Sequence, residues 1–175
     1  MRGYPNGTGW SIAQRLNRNR AAAGIIVHRP QLTVSDMNEA RTSFSFEQSL
    51  LKTDQTIYKG PTVMLIDERA VSYSEWTGLV FEAASGTKFV GTNSAGAVGD
   101  QTNLVLPGGI YVGFTGHDIR PADDRPVQGI GLVPDVRVQP TIAGIRAGRD
   151  EVLESAIAYL QQSLAEAANG QGGSR

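Results

Sequence analysis

Ser72-Tyr73-Ser74-Glu75 follows an apolar run and a short connector, and opens a segment with helical spacing. A serine at the mouth of a helix faces orphan backbone N–H groups and the positive end of the aligned peptide dipoles, both of which favour an alkoxide or an oxyanion. Such a serine can be a nucleophile. The same residues also read as a capping box, in which the Ser72 hydroxyl caps the helix and Glu75 reaches back to the Ser72 backbone. The local pattern leaves both readings open.

Two glycine loops could line the same site. Gly3 to Gly9 and Asn93 to Gly99 both offer backbone N–H groups able to hold a negative oxygen, and in the second loop Gly96 and Ala97 are candidate substrate contacts. Ala97 and Val98 stand where a nucleotide-binding loop would need Gly-Lys-Ser, which disfavours nucleotide. Each loop is equally readable as a tight turn. The chain has 2 histidines, His28 and His117. His117, in Thr115-Gly116-His117-Asp118, could be a base oriented by Asp118 or a neighbour, or a surface loop histidine. His28 closes an apolar strand and reads as structural. Asp135 after Pro134 reads as a turn cap, and Arg120, Asp123, Asp124 and Arg125 as a solvated loop.

These residues need elements to position them. The spacing predicts a helix from Trp10 to Arg20, a strand from Ala23 to His28 and a peripheral strand over the alternating run Thr42 to Phe46. Pro61 to Asp67 is a continuous apolar strand of the kind buried in a parallel sheet. A helix over Tyr73–Ala84, a strand over Lys88–Gly91 and a hairpin from Leu104 to Thr115 around Pro107-Gly108-Gly109 follow. Gly131 to Asp135 turns into the strand Val136 to Val138. The last predicted helix, Asp150 to Ala167, carries Leu153, Ile157, Leu160 and Leu164 on one stripe. Strands and helices in this order give an α/β fold class.

Composition narrows the chemistry. With 16 basic against 17 acidic residues and a net charge of -1, no basic stripe suits a nucleic-acid backbone. The longest apolar run, Ala21 to Val27, is far short of the ~20 residues that span a bilayer, so no membrane insertion is expected. Without cysteine there is no thiol nucleophile or thiolate zinc site, and 2 histidines make a histidine-rich metal site improbable. No metal and no cofactor are expected. The first residues lack the apolar core of a secretory signal. A glycine loop opening a helix normally follows a strand, so the chain reads as beginning one strand late.

In their order along the chain these motifs resemble the catalytic domain of the tail-specific, or C-terminal processing, serine peptidases, including the tricorn-like branch. The resemblance is carried by Arg2-Gly3-Tyr4-Pro5-Asn6-Gly7, similar to that family's arginine-to-double-glycine loop, and by Tyr58 to Asp67 and Ser72 to Glu75. It continues through Phe89-Val90-Gly91, the loop to Gly99, Leu106-Pro107-Gly108-Gly109 and Gly131 to Asp135, while Arg29 to Ile57 matches only loosely. It implies a crotonase-like or ClpP-like α/β spiral and hydrolysis of peptide bonds by a serine. Residues 1–168 would form the catalytic domain, incomplete at its N-terminus, with 169–175 a loose tail. A preceding segment or PDZ-like domain, a peptide or protein substrate and homo-oligomers would fit the family. So would an exported or cell-envelope location, although the chain itself carries no address.

Carried over by residue, the resemblance makes Ser72 the nucleophile and the Tyr73 N–H one oxyanion donor. Asn6 or Gly7 supplies the other, where the family has two glycines. The base departs from the family. Bacterial tail-specific members use a lysine at the position that here is Ala97, and the 3 lysines, Lys52, Lys59 and Lys88, lie elsewhere. Tricorn-like members use an upstream histidine and a glutamate where this chain has Gln128, which can orient by hydrogen bonds but cannot carry charge. His117 is the remaining internal candidate. Two alternatives stay open: a peptide-binding or assembly module without a working base, and a crotonase-type acyl-CoA enzyme.

Overall fold

The computed structural model describes residues 7–18, 24–31, 42–50 and 53–171. Helix α1 (Thr8–Leu16) leads through β1 (Gly24–Gln31) and β2 (Thr42–Ser49) to β3 (Val63–Ile66), α2 (Tyr73–Ser85) and β4 (Lys88–Gly91). Then come β5 (Gln101–Leu106), β6 (Ile110–Thr115), β7 (Asp118–Pro121), β8 (Val136–Arg137), α3 (Ile142–Arg146) and α4 (Glu151–Gln171). The α/β class holds. β3, α2 and β4 form a parallel β-α-β unit, extended by β8 into a sheet of order β3-β4-β8. A second, antiparallel sheet has the order β2-β1-β7, and among the described residues β5 and β6 pair only with each other.

Helix α2 is the hub. Leu79, Val80 and Ala84 are fully buried, as are its polar Ser74, Glu75 and Thr77. A helix buried around most of its girth must be covered on several sides, and this one packs on α1, β1 and β7 while Gly78 lies against Met64 and Phe89 of the parallel sheet. Small residues make the fit possible: a Cβ on Gly9 of α1 would come within 2.7 Å of the Thr77 hydroxyl. α4 packs against β3 and β4.

Several boundaries differ from the expectations. α1 ends at Leu16 rather than Arg20, with Asn17 already out of helical geometry (ψ 87). Residues 118–121, expected as loop, pair with β1 as β7, because Ile119 and Pro121 alternate inward and complete that sheet. α3 was not foreseen; its start is fixed by Thr141, whose hydroxyl accepts the Gly144 N–H at 2.9 Å. In α4 the buried position is Ala156, whereas Leu153, Ile157 and Leu164 of the expected stripe are exposed. Close approach to β3 and β4 favours the small side chain there. α4 also runs to Gln171, so 169–171 are helical rather than loose. No helix among the described residues is long and apolar enough to cross a membrane.

Candidate active site

The strand-to-helix turn after β3 is built by local hydrogen bonds. Asp67 accepts the Arg69 N–H at 2.9 Å and its guanidinium Nε at 2.9 Å, and the Ala70 N–H returns to the Asp67 carbonyl. That guanidinium bond holds the Asp67 carboxyl below its ordinary range. The chain then swings through Ser72 at φ 57, ψ -116 and enters α2. Ser72 and Glu75 do form the capping box, with the Ser72 N–H donating to Glu75 Oε2 at 3.0 Å. Ser72 is half-buried and lines a cavity of about 320 Å³ walled by Tyr73, Trp76, Val98, Ile119 and Gln48. Tyr73 stacks on Trp76 at 5.0 Å, and Trp76 stacks on Trp10 of α1 at 5.4 Å.

Glu75 does more than cap. Its side chain is completely buried and accepts from the Ser94 hydroxyl at 2.6 Å, the Gly96 N–H at 2.7 Å and the Ala97 N–H at 3.0 Å, besides Ser72. The glycine loop after β4 thus holds an anion, as its N–H groups suggest, but the anion is the protein's own carboxylate. The N–H groups of Gly96 and Ala97, the candidate substrate contacts, are therefore engaged within the protein. Two backbone rungs fasten the same loop to the turn: the Ser72 N–H also donates to the Ala97 carbonyl at 3.0 Å, and the Ala95 N–H to the Ala70 carbonyl at 2.9 Å. From behind, Ser94 Oγ accepts the Leu132 N–H at 2.6 Å and the Gly129 N–H donates to the Gly96 carbonyl at 2.7 Å. Gly96 sits at φ 71 with no room for a Cβ.

With the Ser72 N–H engaged, the Tyr73 N–H is the donor left at the helix mouth, and it has no hydrogen-bond partner among the described residues. Gly7 N-caps α1 in the left-handed region (φ 68), which suits glycine. Its helix reaches α2 where Gly9 seats on Thr77, whose hydroxyl donates to the Tyr73 carbonyl at 2.7 Å. Asn6 lies outside the described residues.

His117 is near this site but not bonded to Ser72. Its Nδ1 lies 2.9 Å from Asp100 Oδ2, and Asp100 lines the cavity. Asp118, one of the expected orienting residues, instead accepts from Arg120 Nε at 2.8 Å, two residues on along β7. Gln128 is exposed and accepts the Val98 N–H at 3.1 Å, so it steadies the loop behind the cavity. Asp135 does not cap a turn. It reaches β4, accepting the Phe89 N–H and the Lys88 ammonium at 2.8 Å each. Arg120 and Arg125 are likewise tied, to Asp118 and to Glu82. The side chain of His28 lies outside the described set, but its backbone pairs with Ser45 and Asp118. Among the described residues no cluster of acidic or histidine side chains could hold a metal.

The family comparison decides the lineage, since the model of peptidase family S41 matches residues 14–138. The chain belongs to peptidase family S41. No curated protein matches it. Among solved structures, this S41 chain is similar to a candidate peptidase from Parabacteroides merdae, with TM-score 0.69 and 22% identity over 87% of the chain and 46% of that protein. It is also similar to a lipoprotein from Streptococcus agalactiae, with TM-score 0.58 and 12% identity over 89% of the chain and 50% of that protein. A weaker similarity, TM-score 0.45 at 22% identity over 75% of the chain and 30% of that protein, links it to a photosystem II D1 C-terminal processing protease. The chain thus spans about half the length of the first two. Sequence reasoning missed Asp100 and Ser94 in this candidate site. Both lie 15 or more residues from their partners, and only the fold brings them together.

Proposed function

We propose that this chain carries the nucleophile of a serine peptidase, with Ser72 as the attacking residue. One observation carries the reading. An ordinary N-cap residue sits in the β region, whereas Ser72 is held at φ 57, ψ -116, one of 2 described non-glycine residues with positive φ, while facing the cavity. Capping alone does not require that strain, and strained strand-to-helix turns that thrust a serine into a site recur in hydrolases.

In this reading the Ser72 Oγ attacks the carbonyl carbon of a peptide and the base takes its proton. The C–N bond then breaks as the amine leaves with a proton, and water hydrolyses the acyl ester. The Tyr73 N–H and the α1 loop, at Gly7 or Asn6, hold the oxyanion. His117 is assigned as base: Asp100 on Nδ1 leaves Nε2 free to accept, and the bond to Ser72 forms when substrate closes the rim. Tyr73, Trp76, Val98 and Ile119 offer apolar walls to a side chain beside the scissile bond.

Labelling with a fluorophosphonate tests the nucleophile; Ser72→Ala abolishes labelling, and equal labelling of both proteins rejects the assignment. His117→Ala is expected to slow labelling at least ~100-fold, the usual worth of a general base. Full labelling of that variant would move the base elsewhere. A second reading, a peptide-binding module with the S41 fold, is favoured by Ala97 and by Gln128, whose carbonyl is already engaged with Val98. Turnover of unfolded peptides above the Ser72→Ala background excludes it.

A further inference from the structure

Gln48 is a polar residue on an apolar face. In the β2-β1-β7 sheet Phe46 lies opposite Val27, and Val27 opposite Ile119. Directly paired residues share a face, and Gln48, two residues beyond Phe46, joins them on it. That is the face on which α2 packs, with Val27 and Ile119 buried. A half-buried glutamine there is the informative exception. Its neighbour orients its amide. The Trp76 indole N–H can only donate, so the amide must turn its oxygen toward it, and Gln48 Oε1 accepts at 3.0 Å. Nε2 is thereby fixed on the other branch, where it has no hydrogen-bond partner among the described residues. Gln48 and Trp76 both line the cavity beside Ser72.

The other polar groups of the cavity narrow what can enter. Asp100 gives Oδ2 to His117 Nδ1, and Oδ1 has no hydrogen-bond partner among the described residues. The Tyr73 hydroxyl can donate or accept and so does not discriminate. A carboxylate entering beside Asp100 would meet like charge, and an ammonium would leave the Gln48 N–H groups without an acceptor. A hydrocarbon would satisfy neither. A carboxamide is neutral and carries both a carbonyl that accepts and an NH2 that donates. We propose that Gln48 is a specificity-determining residue, whose Nε2 donates to the carbonyl of a glutamine side chain beside the scissile bond while its two methylenes lie along Trp76, Val98 and Ile119. This rests on the Ser72 reading, which makes the cavity the seat of that side chain. At about 320 Å³ it is at the small end of ligand pockets and takes one side chain.

Calorimetric titration of the full chain with N-acetyl-Ala-Ala tripeptide acids ending in Gln, Met, Glu or Lys tests this without turnover, because such acids are products of cleavage. The Gln peptide should bind at least about 5-fold tighter than the Met peptide, as one hydrogen bond contributes. Gln48→Leu should erase that difference. Gln48→Glu keeps an acceptor for Trp76 but puts a carboxylate where the donor was, so the preference should pass to the Lys peptide. A merely structural role for Gln48 would not redirect it. Equal affinity for the Gln and Met peptides, or a preference that survives Gln48→Leu, overturns the proposal. So does a dissociation constant above about 10 mM for every peptide. Fluorophosphonate labelling reads the nucleophile separately. Labelling of Ser72 without glutamine selection overturns this inference alone, whereas glutamine selection without labelling overturns the Ser72 assignment and upholds the preference of the cavity.

Discussion

The Glu75 carboxylate accepts the Ser94 hydroxyl at 2.6 Å with both residues buried, so the first turn of α2 and the loop after β4 share one internal anion. Every neighbour of that carboxylate is a donor. Glu75→Gln turns its amide NH2 toward backbone N–H groups, that of Gly96 or those of Ser72 and Ala97, which cannot accept, at about 1–3 kcal/mol for each group left unsatisfied. The expected loss is about 2–4 kcal/mol in urea denaturation. A loss below about 1 kcal/mol would mean that the loop finds its position without the carboxylate.

Gly96 is a second fixed point. A Cβ there would lie 2.9 Å from the backbone nitrogens of Ile130 and Gly131, and the residue has φ 71. Backbone cannot yield as a flexible side chain does, and the left-handed region costs an L-residue roughly 1–2 kcal/mol by itself. Gly96→Ala is expected to lower the thermal midpoint and to abolish labelling of Ser72, whereas Gly108→Ala at the open hairpin tip should leave labelling intact. Comparable labelling of the two variants would contradict this.

The strain at Ser72 separates two substitutions that both delete the hydroxyl. Ser72→Ala keeps the unfavourable backbone, whereas Ser72→Gly relieves it and, at an N-cap, costs only a few tenths of a kcal/mol. Ser72→Gly should therefore be more stable than Ser72→Ala by about 1–2 kcal/mol, with neither labelled. Equal unfolding midpoints would show that the backbone there is relaxed.

Much of this arrangement is legible in the residues. The β-branched and apolar run at 61–67, the helix over 73–84 and the strand at 88–91 follow from local period, and all three appear within two residues of their expected ends. Ser72 and Glu75 are legible because a capping box is local. Glu75 as anchor of residues 94–97 is not, because the partners lie 19 or more positions away and a carboxylate that caps looks the same in sequence as one that also organises a loop. α4 misled for a different reason: a clean stripe of Leu and Ile predicts which face is apolar, whereas the sheet it meets selects the small Ala156.

Position 97 invites a graft. The Ala97 N–H and carbonyl are both bound, to Glu75 and to Ser72, while the residue is exposed. A longer side chain there can extend without moving the loop. Ala97→Lys is expected to raise the rate of Ser72-dependent labelling about 10-fold or more, with the gain growing toward alkaline pH as the ammonium deprotonates. No acceleration, with stability retained, would mean that residue 97 points away from the serine.

Lys88 and Asp135 give a pH signature. Their hydrogen bond raises the Lys88 pKa above its ordinary 10.5. The stabilisation is therefore fully present below pH 10.5 and is lost as pH climbs through the raised value. Both side chains are a third or more exposed, so water and salt keep the pair at or below about 1 kcal/mol. Comparing wild type with Lys88→Met, the difference in unfolding midpoint should be constant from neutral pH to about pH 10 and close above it. A gap that widened there would reverse the assignment.

The Trp10–Trp76 stack has a practical consequence. These are the chain's 2 tryptophans, one on α1 and one on α2, with ring centroids 5.4 Å apart beside the cavity. Two indoles that close couple their transitions, and their emission responds to any change in mutual distance. The molecule therefore contains its own optical gauge of whether α1 is seated on α2, readable in real time and without a label as a ligand enters.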